Sequence, residues 1–292
     1  MPTEEHPASN ITDNITDKFF IKFPPLLYTL ANFVKIKNMK NNLSVFLITK
    51  QEGANLDKCL SSVQNIADEI IIVDSGSTDN TLEIAKKYGA KTFHKDFVSF
   101  TEQKNFSLEK CSCTWALNID ADEYLTPALA GEIKKTLEKQ TDIDGYFLIR
   151  NNIFLGRKMK HSGIAAEARL RLVKTKKAKY VGGFVHEELI VEGKTATLKN
   201  TFMHNTYISI EQYFEKFNRY STLAALTMQQ KHKKFSIFHL LRAPFEFIKI
   251  YFLRLGFLDG FQGFLWALFN AWYKVVKYTK LWDLNRANKN TK

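Results

Sequence analysis

Trp115-Ala116-Leu117-Asn118-Ile119-Asp120-Ala121-Asp122-Glu123 runs from a short apolar stretch straight onto three acids. The apolar part has the length and composition of a buried strand. Carboxylates crowded at the mouth of a strand repel one another, and a cation among them relieves that repulsion. Hard oxygen ligands of this kind suit Mg²⁺ or Mn²⁺. A cation held by only one or two carboxylates keeps open positions that phosphate oxygens can take. Read alone, the same residues also describe a solvated acidic turn, since Asp-x-Asp is common.

The surroundings favour the first reading. Upstream, Glu69-Ile70-Ile71-Ile72-Val73-Asp74 is again an apolar β-branched run ending on an acid, followed by the turn Ser75-Gly76-Ser77-Thr78-Asp79-Asn80. A helical pattern with Leu82, Ala85 and Tyr88 follows and closes on Gly89. Earlier, Leu43-Ser44-Val45-Phe46-Leu47-Ile48-Thr49 leads through Lys50-Gln51-Glu52 into a helix with Leu56, Cys59, Leu60 and Val63 on one face. Strand, polar loop and helix thus repeat from Leu43 to about Glu138. This alternation predicts an α/β fold with a mostly parallel sheet between helices. In such sheets ligands bind beyond the carboxyl ends of the strands. Glu52, Asp74, Asp120 and Asp122 all fall there, so a single crevice can collect them.

Further along, Gly145–Arg150, Arg169–Val173 and Thr197–Phe202 have strand composition, separated by turns rich in Gly and Lys. After His204 the pattern turns helical, with Tyr213, Phe217, Tyr220, Leu223 and Leu226. The net charge of +12 is concentrated towards the end of the chain. From His232 onward the acids are Glu246, Asp259 and Asp283 against many Lys and Arg, among abundant Phe, Trp, Tyr and Leu. Such a segment suits an anionic membrane surface, with Trp266, Trp272, Tyr273 and Trp282 at headgroup level. It also suits a helical cap on the catalytic domain, and the two are compatible. Nucleic acid is not an expected partner, because the apolar content is too high for a simple phosphate-binding face. The longest uncharged run, Gly260 to Tyr273, falls short of the roughly 20 residues a spanning helix needs.

At 292 residues the chain can hold a catalytic domain plus an appendage. Three cysteines, with Cys111 and Cys113 close together, read as ordinary thiols in a reducing compartment. The first residues are polar and acidic, without a secretory signal, and either Met1 or Met39 could initiate the chain.

In order and spacing, Thr49 with Glu52, Val73-Asp74-Ser75-Gly76-Ser77-Thr78-Asp79, and Asp120-Ala121-Asp122-Glu123 resemble the signatures of the inverting glycosyltransferases of family 2. Arg169-Leu170-Arg171-Leu172, Val185-His186-Glu187 and Tyr251-Phe252-Leu253-Arg254-Leu255-Gly256-Phe257-Leu258-Asp259-Gly260 are similar to the branch that includes lipopolysaccharide core glucosyltransferases. The likeness spans roughly residues 43–283. The chain departs from it at Gln51, where the family usually has Asn. It departs again at Ile164-Ala165-Ala166-Glu167, where related chains carry an aromatic-Pro-acid run.

The resemblance implies a GT-A nucleotide-sugar-binding fold over residues 43–208, a helical membrane-associating region over 209–292 and an N-terminal extension over 1–42. It implies transfer of a hexose, glucose from UDP-glucose, to a cell-envelope glycolipid such as lipopolysaccharide core. The enzyme would then be peripheral, on the cytoplasmic face of the inner membrane. Expected metal ligands are Asp122, Asp120 and His186, although His186 could instead orient Glu187. Glu187 is the candidate base for the acceptor hydroxyl, because the acids of the metal site lie on the phosphate side. Thr49, Glu52, Asp74 and Asp120 are expected in the nucleotide-sugar pocket, with Asp74 accepting from uracil or ribose. Arg169 and Arg171 alternate and so share a strand face, suiting a diphosphate or an anionic acceptor. Isolated in the sequence, His161 and His204 carry no assignment. A nucleotidyltransferase uses a similar sheet, but it wants a Gly-rich basic loop where this chain has Lys50-Gln51-Glu52-Gly53. A membrane-bound scaffold with a degenerate transferase domain is the other alternative, and intact Asp120, Asp122 and Glu187 weigh against it.

Overall fold

The computed structural model describes residues 42–182 and 187–290. The N-terminal extension up to residue 41 and His186 lie outside the described residues. Four strands, β1 (Leu43–Thr49), β2 (Glu69–Asp74), β3 (Lys91–His94) and β4 (Trp115–Asn118), run parallel in the order β3-β2-β1-β4. They alternate with α1 (Gly53–Val63), α2 (Thr81–Lys87) and α3 (Phe100–Glu109). Both faces of this part are covered, as near-continuous apolar runs require. Leu43, Val45 and Leu47 pack against Leu56, Cys59, Leu60 and Val63 of α1. Phe46 and Ile71 point the other way, onto Leu108 of α3. Ser99 starts α3 by accepting the amide of Glu102.

Beyond β4 the sheet changes character. β5 (Glu123–Leu125) and α4 (Pro127–Leu137) precede β6 (Ile143–Phe154), β7 (Arg157–Lys158) and β8 (Glu167–Lys174). β8 lies antiparallel between β4 and β6, because β6 returns to it without a crossover helix. β9 (Ala178–Gly182) and β10 (Glu187–Val191) form a separate ribbon. β11 (Lys194–Tyr207) joins β6 in parallel and β5 antiparallel. The sheet is therefore mixed, and its parallel stretch is the part whose alternation was legible.

The remaining chain forms α5 (Ile210–Gln230), a 3-10 turn (Ile237–Leu241), α6 (Arg242–Ile248), a π turn (Lys249–Leu253), a second 3-10 turn (Gly256–Asp259) and α7 (Gly260–Asn290). Tyr213 and Phe217 of α5 pack with Phe154 and Met159, against Trp266, Phe269 and Tyr273 of α7. The expectation that Trp266 and Tyr273 face the headgroups is thus corrected: both turn towards the protein. Trp272 and Trp282 are exposed. Among the described residues no helix is long and apolar enough to cross a membrane.

Candidate active site

The carboxyl ends of β1, β2 and β4 meet as expected, but their acids do unequal work. Asp74 is buried and accepts four hydrogen bonds. They come from the amides of Gly76 (2.9 Å) and Ser77 (2.8 Å) and the hydroxyls of Thr49 (2.8 Å) and Ser77 (2.6 Å). Burial opposes its ionisation, but these donors outweigh burial and hold its carboxyl below the usual range. Four donors fill the acceptor capacity of a carboxylate. These contacts from Thr49, Gly76 and Ser77 to Asp74 shape the turn after β2. Gln51, at φ 58°, clamps the same turn: its side-chain oxygen accepts from Thr78 N at 2.7 Å. Burial raises the carboxyl of Glu52, with Asn55 opposing and the nearby charges of Asp122 and Asp120 adding to the rise.

Asp120 is enclosed by cations. Lys104 Nζ lies 3.1 Å from Oδ1 and Arg171 Nη2 lies 2.9 Å from Oδ2. Burial works against its charge, yet these two partners drive its carboxyl far below the ordinary range. Asp120 lines the cleft as expected of a site residue, with both its oxygens contacting protein cations. Arg171 also binds Glu123 Oε1 at 2.7 Å and the side chain of Asn118. Glu123, buried beside Asp120, has its carboxyl pushed up to about 7, mainly by burial and against the pull of Arg171. The two acids share one guanidinium: Asp120 keeps the charge, and the desolvation cost falls on Glu123.

Lys104 continues the chain of charges. Its ammonium bridges Asp120 and Glu187, 3.1 Å from each. Burial disfavours its charge, but the acids around it raise its pKa overall. Glu187 is therefore held by a buried cation at the start of β10. Lys104, Asp120, Arg150, Arg169, Arg171 and Glu187 are among the residues around one cleft of about 600 Å³. Arg169 and Arg171 share that face as expected. Arg171 is consumed by acids, whereas Arg169 is exposed and touches Glu167 at 3.0 Å.

Asp122 faces the other way, towards β11. His204 Nε2 lies 3.4 Å from its Oδ2. On the far side of the ring, Nδ1 sits 2.8 Å from Asn152 Oδ1. Asn152 Nδ2 donates to Ile164 O, which orients the amide so that its oxygen meets the imidazole. An oxygen can only accept, so Nδ1 carries a hydrogen, and Nε2 is the ring nitrogen that faces the Asp122 carboxyl group. A carboxyl group and a ring nitrogen facing each other at that range can share a proton or a cation. An imidazole whose second nitrogen donates to an amide oxygen is the arrangement of metal-binding histidines. Asp122 and His204 thus fit a divalent cation completed by substrate oxygens, although no cluster of three or more His, Cys, Asp or Glu ligands occurs among the described residues. A second depression of about 440 Å³, lined in part by Arg150, Asn152, Ile164, Glu167 and His204, adjoins this pair.

Lys104, Glu123, Asn152 and His204 carry the site and were not assigned from the sequence. Lys104 lies in an otherwise unremarkable helix, and His204 is recognisable only once β11 pairs it opposite Glu123 and beside Asn152.

Residues 44–189 match the family model for glycosyl transferase family 2. An uncharacterised glycosyltransferase of Rickettsia typhi is 32% identical over 261 residues, covering 85% of this chain and 89% of that protein. A lipopolysaccharide core biosynthesis glycosyltransferase, LpsC of Rhizobium meliloti, is 32% identical over 253 residues, covering 82% and 92%. Among solved structures, S. aureus TarS 1-349 in complex with UDP-GlcNAc aligns over 86% of this chain and 92% of that one, at 15% identity and a TM-score of 0.44. With its strand-end acids, its mixed sheet and these relatives, the chain belongs to glycosyl transferase family 2.

Proposed function

We propose that this glycosyltransferase moves a hexose, glucose from UDP-glucose, with inversion onto a membrane glycolipid of the lipopolysaccharide core type. We place the reaction at the cytoplasmic face of the inner membrane, with a divalent cation as cofactor. The carrying observation is the spatial split of the acids: Asp122 and His204 on one side, Glu187 on Lys104 on the other. The name of the Rhizobium meliloti relative supports the choice of acceptor.

Asp122 and His204 would hold the cation, which supplies Lewis-acid stabilisation of the departing diphosphate. Glu187 takes the proton of the acceptor hydroxyl as that oxygen bonds to the anomeric carbon. The bond from that carbon to the diphosphate breaks, and its electron pair leaves with UDP. Lys104, 3.1 Å from Glu187, holds its carboxyl group in place until the proton arrives. Arg169, free of the buried acids, is positioned to meet an anionic group of donor or acceptor. Thr49, Asp74 and Gln51 hold the turn that receives the nucleoside.

The test incubates the purified protein with UDP-glucose and Mn²⁺ and measures UDP released to water or to acceptor. Asp122→Ala should lower turnover by about 10³ or more. Turnover that ignores EDTA would remove the metal from the reading. Pyrophosphate released from a nucleoside triphosphate would make the protein a nucleotidyltransferase.

A further inference from the structure

The segment between α5 and α7 is built inside out. Ala243 and Ile250 are its buried positions in α6 and the π turn. The opposite stripe is apolar as well, but open. Leu241 (64%), Phe245 (61%), Ile248 (48%) and Phe252 (53%) follow one another at intervals of four, three and four residues and are exposed to the stated degree. That spacing places them on one side of a continuous helical rod. Ile237 and Phe238 extend the stripe at its start, and Leu253, Phe257, Leu258 and Phe261 continue the exposed apolar run past its end. Exposed apolar groups scattered singly need no explanation, whereas a contiguous series of this length marks a contact surface.

The charges beside it indicate what it contacts. Lys233, Lys234, Arg242 and Arg254 are exposed along the same segment. Its two acids are spoken for: Glu246 lies 3.7 Å from Lys249 and 3.9 Å from Lys274, and Asp259 is buried. An apolar stripe flanked by cations that form no salt bridge among the described residues fits an anionic lipid surface, with the rod lying in the plane of the interface.

The same segment is fastened to the wall of the second depression. Asp259 accepts the amides of Lys160 (3.0 Å) and His161 (2.9 Å) and the Ser162 hydroxyl (2.9 Å). Ser162 in turn donates its amide to Arg254 O at 2.9 Å. The chain then runs directly into Gly163–Glu167, which lines the depression beside His204. We infer that the exposed stripe from Ile237 to Phe261 is a docking surface for an anionic bilayer, joined through Asp259 to the wall of the depression beside His204. The inference deepens the proposed transfer to a membrane glycolipid: docking brings the site to the plane where such an acceptor lies.

The test is co-sedimentation of the full chain with vesicles of phosphatidylglycerol and phosphatidylcholine, compared with phosphatidylcholine alone. Binding should rise with phosphatidylglycerol and weaken in high salt. Phe238→Glu combined with Leu253→Glu alters two exposed side chains and should lower the bound fraction about tenfold or more. Leu82→Glu, on exposed α2, should leave binding unchanged, and UDP release without vesicles should be unaffected in all three proteins. Wild-type binding that ignores lipid charge, or a double variant that binds like wild type, would overturn the inference. So would a wild-type dimer, absent from vesicles, that the double variant turns into monomer, because the stripe would then join two copies of this chain. Vesicle binding without UDP release would refute the transferase reading and leave the surface standing. UDP release by a protein that never sediments would do the reverse.

Discussion

Asn152 offers the sharpest test of the site, because it touches the proposed metal ligand from behind. Its Oδ1 holds His204 Nδ1 at 2.8 Å and thereby points Nε2 at Asp122. Loss of such a supporting contact typically costs 10- to 100-fold in metal affinity or activity, about 1.4–2.8 kcal/mol. Thr206 Oγ1 lies 3.4 Å from the same nitrogen and would retain part of the orientation. Asn152→Ala should therefore fall near the lower end, about tenfold. His204→Ala removes the ligand itself and should cost more than 100-fold, a larger step than loss of its support. The assay is titration of UDP binding against Mn²⁺, with the apparent Mn²⁺ constant as readout. Asn152 is buried and also donates to Ile164 O, so the alanine variant will lose stability as well. Asn152→Asp keeps the acceptor for Nδ1 but not the donor for Ile164. It should recover Mn²⁺ affinity while its Tm stays low, which separates orientation from stability. A His204→Ala protein with the wild-type Mn²⁺ dependence would refute the reasoning.

Three further outcomes follow from the charges. Glu187→Gln should lower transfer by about 10²–10⁴ at unchanged donor affinity; weakened donor binding would move Glu187 to the nucleotide pocket, and full activity would pass the base role to Glu188 or Glu167. Arg171→Met leaves Asp120 and Glu123 short of a buried cation and should cost about 3–5 kcal/mol in urea unfolding, so a loss below about 1 kcal/mol would mean the cluster is far more hydrated than its geometry indicates. Burial opposes ionisation of Glu69, but Lys91, Ser44 and Ser112 outweigh it and lower its carboxyl from 4.5 to about 2. A depressed carboxylate stabilises the fold above its unfolded value, so this contribution is present above about pH 4.5 and lost as the pH falls towards 2. Glu69→Gln should flatten that part of the stability profile, and an unchanged acid limb would disprove the assignment.

The parallel half of the sheet was legible because each of β1, β2 and β4 is an apolar run that stops on a polar turn, a pattern local to about ten residues. The antiparallel half was legible as strands but not as pairings, since nothing in Arg169–Val173 says that β8 lies between β4 and β6. The positions of the acids could be read in the same way, as strand ends. Their partners could not. Lys104 meets Glu187 across 83 residues, and His204 meets Asn152 across 52, and neither separation leaves a periodic trace. Charge was also misleading in one respect: Asp120 and Asp122 look equivalent in the sequence, and only the fold distinguishes them. The aromatic residues of the tail pose the same problem, because α7 carries Trp and Tyr on both its packed and open sides.

The turn after β4 explains how neighbouring acids come to differ. Glu123 N donates to Asp120 O and Asp120 N donates to Glu123 Oε2, each at 2.9 Å, closing a tight loop that sends the side chains of Asp120 and Asp122 to different partners. Lys104 and Arg171 then offset most of the negative charge of Asp120, Glu123 and Glu187. A cluster of acids at a strand end does not by itself require a cation, because here protein cations answer most of the repulsion. Asp122, facing His204 Nε2 at 3.4 Å, stands outside that set of contacts. A carboxylate and an imidazole form too small a set to hold Mg²⁺ or Mn²⁺ firmly, and such sites rely on substrate phosphate for the rest. Metal and nucleotide should therefore bind cooperatively: Mn²⁺ weakly to the protein alone, and at least about tenfold more tightly with UDP present. By linkage, Mn²⁺ should tighten UDP by the same factor. Calorimetric titration of each ligand with and without the other measures both sides. Equal Mn²⁺ affinity with and without UDP would mean that the protein supplies ligands beyond Asp122 and His204, with Asp120 the first candidate.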